Sequence, residues 1–372
     1  MAKTHFLLMS TSPGEVGAWV PNVAKAIREG FGNDAKITLF LTPCQFGSGN
    51  EKHVAQGYSE LDAVFAPAET LRSLSQSMQV EGSGLIVGLG CDLIYLSLMK
   101  RKTGYPVVVY SESPELRFPK SYTVLYKQQI GDLMQDSIVR LLQSGVSESP
   151  AEAPMIFNAG SRPAQFAQLV PYWVETISKL RSVIPDIPAA ISISPFINFE
   201  SYPEIQQLIH NQSIPIVREH YLSTLKSARL LVTIPGTNTA EAMYLGVPMV
   251  MVLPTYFSHV FQFPGLLGLL GEIPLLGRAI KYLIVAAMLP FKERFTFSLP
   301  NLLLKQKIVP ELTGKISTDY LAAYLAETWN NPLFFDQQIQ AFKAQCPTQL
   351  IASKMVNRFR EILGLSESEI QR

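Results

Sequence analysis

Residues 232–250 read VTIPGTNTAEAMYLGVPMV and predict a chain that turns from a buried strand into a helix. An apolar strand ends at Ile234, and Gly236 allows the backbone to turn closely. The helix then opens with three polar residues, Thr237, Asn238 and Thr239. A helix N-terminus presents free N–H groups and a partial positive charge, so this turn is suited to binding a diphosphate.

Glu241 lies one turn inside the same helix, where its carboxylate is placed to accept hydrogen bonds from ribose hydroxyls. An ordinary capped helix after a strand is the alternative interpretation, and Gly-Thr alone would favour it. The continuation LGVPMV at 245–250 makes the pattern more specific, because it adds a second apolar strand directly after the helix.

Apolar runs rich in β-branched residues alternate with segments of helical spacing along much of the chain, which indicates parallel sheets covered on both faces. The pattern restarts after a Ser-, Pro-, Gly- and Glu-containing stretch at 144–154. We therefore expect an α/β protein of two tandem Rossmann-like, doubly wound domains, residues 1–150 and 151–335. Ligands of such sheets bind at the carboxyl ends of the strands, which in a pair of domains means the cleft between them.

The composition argues against several classes of protein. Lys and Arg number 31 against 30 Asp and Glu, so the chain lacks the positive charge of a nucleic-acid-binding protein. The three cysteines form no CxxC pair and the five histidines lack ligand spacing, so neither a disulfide framework nor a metal site is expected. The apolar run Phe6–Met9 is too short for a signal peptide, and we expect a cytoplasmic protein.

Three stretches in the second half resemble the glycosyltransferase family of lipid-A-disaccharide synthase. Residues 232–250, with the glutamate five positions after Gly236, resemble that family's nucleotide site. NAGSR at 158–162 resembles its Leu-Pro-Gly-Ser-Arg loop, and SLPNLL at 298–303 with the following IVPEL at 308–312 resembles its Ser-Leu-Pro-Asn-Leu-Leu element. The first half matches this family in layout more than in letters.

The resemblance implies a GT-B fold, in which C-terminal helices, here 336–372, return to the first domain. It also implies a UDP-sugar as donor substrate, with Asn301 in contact with the nucleotide-sugar. The residues implied to bind the nucleotide-sugar are Gly160, Ser161, Arg162, Gly236, Thr237, Asn238, Thr239 and Glu241. By its chemistry the Arg162 guanidinium can also neutralise a leaving diphosphate, whereas a surface arginine near a turn is the alternative.

The catalytic base has two candidates at the ends of strands in the first half. The family places an Asp where this chain has Gly90, and Asp92 is the nearest acid. Asp92 is equally suited to cap a helix at 93–102. Glu15 lies in a Gly-rich loop after the first strand, where a substrate commonly approaches the backbone, but a glutamate favoured by the helix dipole is the alternative. Two lower-ranked acids follow another strand, Glu112 and Glu115.

An unusually apolar segment spans residues 261–294. Charged residues and prolines divide this segment into short uncharged runs. Each run is shorter than the about 20 apolar residues that a membrane-spanning helix needs. We expect it to lie in the membrane interface, with four basic residues facing anionic headgroups, Arg278, Lys281, Lys292 and Arg294. A core helix pair or a homodimer contact is the alternative.

Together these features predict an inverting glycosyltransferase that moves a sugar from a UDP-sugar to a lipid-linked acceptor without a required metal. The protein is expected to bind peripherally to the inner face of the membrane. A nucleotide-sugar 2-epimerase with the same architecture and a non-catalytic nucleotide-sugar or lipid-binding relative are the alternatives.

Overall fold

The computed structural model describes residues 4–45, 47–76, 82–145, 153–255, 257 and 296–365. The chain divides into two compact units, one formed by Met1–Arg140 with Thr348–Arg372 and the other by Leu141–Pro347. Each unit contains a six-stranded parallel sheet with helices, so the prediction of two doubly wound α/β domains is confirmed.

The first unit is built from six strands and the helices between them. The strands are β1 Thr4–Ser10, β2 Ala35–Leu41, β3 Ala63–Phe65, β4 Gly84–Leu89, β5 Val107–Ser111 and β6 Tyr122–Tyr126. The helices are α1 Pro13–Ala18, α2 Val20–Phe31, α3 Glu51–Gln56, α4 Pro67–Ser75, α5 Leu93–Thr103, α6 Lys127–Ile130 and α7 Gln135–Gln143. The strand order is β3-β2-β1-β4-β5-β6, so the order reverses between β1 and β4.

The second unit repeats this plan. Its strands are β7 Met155–Asn158, β8 Ala189–Ser192, β9 Ile216–Val217, β10 Leu230–Thr233, β11 Met249–Pro254 and β12 Glu311–Gly314. Its helices are α8 Pro163–Val183, α9 Pro203–Asn211, α10 Tyr221–Lys226, α11 Thr237–Leu245, α12 Leu299–Leu304, α13 Thr318–Trp329 and α14 Pro332–Lys343. The order β12-β11-β10-β7-β8-β9 reverses between β7 and β10.

The central strands are continuous apolar runs because helices cover both faces of each sheet. All residues of β4, β5 and β10 are buried, as are the last five of β1. Parallel strands all end at the same edge of their sheet. The loops that follow neighbouring strands therefore meet at that edge.

The region after β1 forms two helices rather than one. α1 ends at Ala18 and α2 begins at Val20, with Trp19 at the junction and Pro21 in the first turn of α2. Proline is tolerated in the first turn of a helix, but within a helix it breaks the hydrogen-bond pattern, so α1 cannot continue through Pro21. The buried Trp19 ring packs edge-on against Tyr110, with 5.0 Å between centroids, and this contact anchors the short helix α1.

Of residues 336–372, which were predicted to return to the first domain, the part from Thr348 onward belongs to the first unit and the part before it to the second. The helix α14 belongs to the second unit, because the buried Gln338 amide accepts a hydrogen bond from Met249 N (2.9 Å) and donates to Met249 O (3.0 Å). The last helix, α15 (Ile351–Leu363), belongs to the first unit. Asp136 accepts hydrogen bonds from the backbone N–H groups of Ile351 (2.6 Å) and Ala352 (2.8 Å) at the start of α15.

The predicted interfacial segment 261–294 lies outside the described residues. Within the part of the chain that the structure describes, no helix is long and apolar enough to cross a membrane.

Candidate functional site

The second sheet reverses its strand order between β7 and β10, and the two predicted diphosphate loops follow these two strands. The strands pair directly, with Phe157 opposite Val232. Gly160 has a φ of +82°, and a Cβ built on it would lie 3.0 Å from Ile234 Cδ1 and 2.9 Å from Gln165 Oε1. In doubly wound sheets, the crevice at such a reversal is the usual ligand site. The loops that the sequence singled out thus meet where the topology favours a ligand.

The loop after β7 is fixed by Asn158. Its side-chain oxygen accepts a hydrogen bond from Gly160 N at 2.8 Å, and its amide nitrogen donates to the Tyr221 hydroxyl at 3.4 Å. Ser161 and Arg162 follow as half-buried residues, and Arg162 is the residue directly before α8. The loop therefore places a guanidinium beside the N-terminus of a 21-residue helix.

The loop after β10 leaves the start of α11 open. Gly236 and Thr237 are exposed, and no side chain caps the helix. The backbone N–H groups of Thr237 and Asn238 have no hydrogen-bond partner among the described residues. An anion is the natural partner for such groups.

Two of the predicted contact residues hold this turn with their side chains. Asn238 donates a hydrogen bond to the Thr233 hydroxyl. Thr239 is fully buried; its hydroxyl donates to Gly236 O at 2.8 Å and accepts from Leu299 N at 3.3 Å. The side chains of Asn238 and Thr239 therefore hold the turn in place, whereas Gly236 and Thr237 are exposed.

Glu241 is half-buried and has no hydrogen-bond partner in the part of the chain that the structure describes. Burial raises the pKa of its carboxyl group to about 7. Tyr221 is its neighbour, and both burial and the Glu241 charge raise the pKa of the Tyr221 hydroxyl above its ordinary value. An acceptor this poorly satisfied is suited to hydroxyl groups of a ligand.

Asn301, which the sequence predicts to contact the nucleotide-sugar, uses its side chain within the protein. Its oxygen accepts from Ile308 N and Val309 N, both at 2.8 Å, and its nitrogen donates to Val309 O at 2.8 Å and to Glu311 Oε1 at 2.9 Å. The side chain is buried and both ends of its amide group are used within the protein. Asn301 therefore fixes the chain around α12.

Glu311 has a structural role in this region that the sequence did not predict. Besides Asn301, its carboxylate accepts hydrogen bonds from Phe297 N, Ser298 N and the Ser298 hydroxyl. It thus holds the start of α12, which packs on α11. Asn301 of SLPNLL and Glu311 of IVPEL are ten residues apart, and nothing in the sequence indicates that their side chains meet.

The first sheet reverses between β1 and β4, and Glu15 lies at this reversal. The half-buried Glu15 accepts a hydrogen bond from the buried Ser12 hydroxyl. A Cβ built on Gly90, whose φ is +82°, would lie 2.6 Å from Glu15 Cγ and 3.2 Å from Glu15 Oε1. The Thr11 hydroxyl donates to Gly90 O at 3.3 Å, so the loops after β1 and β4 are joined.

The other predicted acids have structural partners or lie at the surface. The exposed Asp92 caps α5 and accepts a hydrogen bond from Ile94 N at 3.2 Å, which is the alternative that its position allowed. Glu112 pairs with Lys127 at 3.0 Å, and Glu115 is exposed.

These two units of parallel sheet define the class of the molecule as the GT-B fold. The S. aureus MnaA–UDP co-structure matches with a TM-score of 0.55 at 10% identity, covering 98% of each chain. A Listeria monocytogenes structure described as a UDP-N-acetylglucosamine 2-epimerase matches with a TM-score of 0.54 at 10% identity, covering 97% of this chain and 96% of the other. At this identity the likeness shows the fold alone.

No family model matches the chain. Among curated proteins it is similar to the lipid-A-disaccharide synthase of Alcanivorax borkumensis, with 26% identity over 190 residues, which are 50% of this chain and 41% of that protein. The Xylella fastidiosa lipid-A-disaccharide synthase is also 26% identical, over 179 residues. The matched part of the chain thus spans about two fifths of the length of these relatives. The resemblance to a divergent lipid-A-disaccharide synthase is confirmed at this level.

Proposed function

We propose that the protein is an inverting glycosyltransferase that binds a UDP-sugar in its second unit and transfers the sugar to a lipid-linked acceptor. The observation that carries this proposal is the open N-terminus of α11, which lies at the reversal of the second sheet beside the Gly160 loop.

The charges of the described residues suit a nucleoside diphosphate. Open N–H groups at the start of α11 and the guanidinium of Arg162 supply positive potential for the two phosphates. Glu241 supplies the acceptor that the ribose hydroxyls need. We propose uridine as the nucleoside for two reasons. The chain resembles lipid-A-disaccharide synthase, and a protein of the same fold has been solved in a co-structure with UDP.

A lipid-linked acceptor is supported by an apolar and basic surface on α5. Ile94 is 59% exposed and Leu98 is 40% exposed, one helical turn apart. The last turn of α5 carries three basic residues, Lys100, Arg101 and Lys102. Apolar residues beside cations favour an anionic membrane surface, and we propose peripheral binding to the cytoplasmic face.

The first test separates transfer from its alternatives. UDP binding is measured by calorimetry, and turnover is followed by mass spectrometry with a panel of UDP-sugars and lipid extracts. We expect UDP binding and a sugar-bearing lipid product together with UDP. Isomerisation of the sugar at C2 would identify an epimerase, and binding without any product would identify a non-catalytic protein. Full activity in EDTA is expected, because the proposed reaction uses no metal.

The second test addresses the membrane. The double variant Ile94→Ser, Leu98→Ser is expected to lose most sedimentation with vesicles containing an anionic phospholipid, while UDP binding is retained. Leu333→Ser is the matched control, because Leu333 is 62% exposed on α14 of the other unit. Equal sedimentation of the double variant and the control would contradict the proposed surface.

A further inference from the structure

The reversal of the first sheet carries an acid that its neighbours position closely. Glu15 lies in the first turn of α1, with the Ser12 hydroxyl donating to its carboxylate. Its side chain covers Gly90, so that a Cβ on Gly90 would overlap Glu15 Cγ at 2.6 Å. Glu15, which follows β1, therefore occupies the space that a side chain at position 90 would need.

The two loops are also fixed to each other by polar contacts. The buried Ser10 hydroxyl donates to Leu89 O at 2.9 Å, and Ser10 and Gly90 form an isolated antiparallel bridge. The Thr11 hydroxyl holds Gly90 O. Such supports keep a side chain within a narrow range of positions, as a catalytic group requires.

We propose that Glu15 is the catalytic base of the first unit and takes the proton from the acceptor hydroxyl. This inference rests on the proposed glycosyltransferase function and adds to it the residue and the place of the acceptor. The acceptor is an alcohol whose hydroxyl binds at the β1–β4 reversal, beside Glu15 and Gly90.

The proposed step is a single substitution at the anomeric carbon, in which the acceptor oxygen replaces UDP. The acceptor O–H bond breaks and its proton moves to a Glu15 carboxylate oxygen. The acceptor oxygen forms the new bond to the anomeric carbon, and the bond from that carbon to the UDP oxygen breaks with its electron pair remaining on UDP. Glu15 returns the proton to solvent after the products leave.

Asp92 fits this task less well. It is exposed, and it already accepts the hydrogen bond of Ile94 N that caps α5. It is separated from the Gly90 position by Cys91 and points its acceptor at its own helix. Its structure is explained by capping alone.

The experiment compares Glu15→Gln with Asp92→Asn in the full chain. Glutamine keeps the size of Glu15 and its contact with Gly90 but cannot take the proton. Asparagine at position 92 still caps a helix. We expect kcat to fall about 100-fold or more in Glu15→Gln, with the KM for the UDP-sugar and the UDP affinity unchanged. Asp92→Asn is expected to stay within about threefold of the wild type.

A further variant, Glu15→Asp, retains a carboxylate at a shorter reach and is expected to recover part of the lost kcat. Circular dichroism and the melting temperature establish that each variant is folded. A kcat for Glu15→Gln within tenfold of the wild type, or a larger loss in Asp92→Asn, overturns the assignment of Glu15 while leaving the proposed function intact. A wild type that binds UDP but forms no product overturns both.

Discussion

The two units share one strand order but place their acids on opposite sides of the reversal. In the first unit Glu15 follows the first strand, β1, and covers the glycine after the fourth, β4. In the second unit Glu241 follows the fourth strand, β10, and the glycine comes after the first, β7. Gly90 and Gly160 have the same φ of +82°. The same scaffold therefore supports two different sites.

The difference lies in what fills the space beside each glycine. At Gly90 the neighbour is a carboxylate that already accepts a hydrogen bond. At Gly160 the neighbours are Ile234 and Gln165, and Glu241 remains without a hydrogen-bond partner in the described residues. The first site holds its acid in place with a hydrogen bond from Ser12, whereas in the second site the acid and the helix N-terminus have no such partner among the described residues.

The largest effect is expected from the asparagine that supports the second site. Asn301→Ala removes the partner of both Val309 N and Val309 O in a buried region, whereas Ile308 N keeps Gln306 O as an acceptor at 3.1 Å. Each such group costs about 1–3 kcal/mol, so the free energy of unfolding should fall by about 3 kcal/mol or more. Urea denaturation monitored by circular dichroism measures this.

The control for this variant is Asn330→Ala, which removes one hydrogen bond to Ala326 O and should cost less than about 1 kcal/mol. UDP affinity of folded Asn301→Ala should stay within about threefold of the wild type. A large loss of UDP affinity at unchanged stability would show that Asn301 contacts the ligand after all.

A matched pair of alanine substitutions tests the division of roles between the sites. Gly160→Ala adds a Cβ against Gln165 and Ile234 at positive φ, so the diphosphate loop must shift and UDP affinity should fall by about tenfold or more. Gly90→Ala displaces Glu15 and should lower kcat while UDP affinity is unchanged. Calorimetry with UDP and steady-state kinetics give the two readouts.

Gly246→Ala is the control for backbone strain, because its φ is +73° and a Cβ there meets no atom within 4 Å. It should lower stability by about 1 kcal/mol without affecting UDP affinity or kcat. If Gly90→Ala weakens UDP binding as much as Gly160→Ala does, the two sites do not have separate roles.

The smallest effect concerns the unpartnered acid of the second site. Burial raises the pKa of Glu241 from 4.5 to about 7, so the folded protein retains a proton that the unfolded chain loses between these values. Stability therefore falls as the pH rises from about 4.5 to 7. Glu241→Gln should melt higher than the wild type at pH 8 and equally at pH 4, measured by thermal denaturation.

The same variant should bind UDP about tenfold more weakly at pH 8, because an amide accepts the ribose hydroxyls less strongly than a carboxylate. Tyr221→Phe is a useful comparison, since it keeps the ring beside Glu241. A Glu241→Gln variant that melts below the wild type at pH 8 would contradict the burial of an ionised carboxylate.

The sequence was sufficient for the class of fold and for the loops around Gly160 and Gly236. Apolar runs and helix-opening residues are local signals, and both sheets follow from them. The order of strands is not a local signal: the Rossmann-like class implies that β1 lies next to β4 and β7 next to β10, but the apolar patterns alone do not give this order. Without that order, the contact between Glu15 and Gly90 could not be inferred.

Side chains that bond to distant backbone were the other gap. The motif around Asn301 was visible, but its role depended on where residues 308–311 fold back. Likewise, Gln338 pairs with Met249, and this contact decides which unit holds α14. A polar residue in a motif is equally suited to bind a ligand or the protein, and the tertiary fold determines which.

The return of α15 to the first unit affects how the protein is made on the ribosome. Residues 141–347 are all synthesised before the helix that completes the first unit emerges. Until then the Asp136 carboxylate lacks the N–H groups of Ile351 and Ala352, and the ring of Phe6 lacks Phe359, which lies 6.1 Å away between centroids. The first unit therefore cannot be completed before the second has been synthesised, which differs from the usual N-terminal-first order of domain folding.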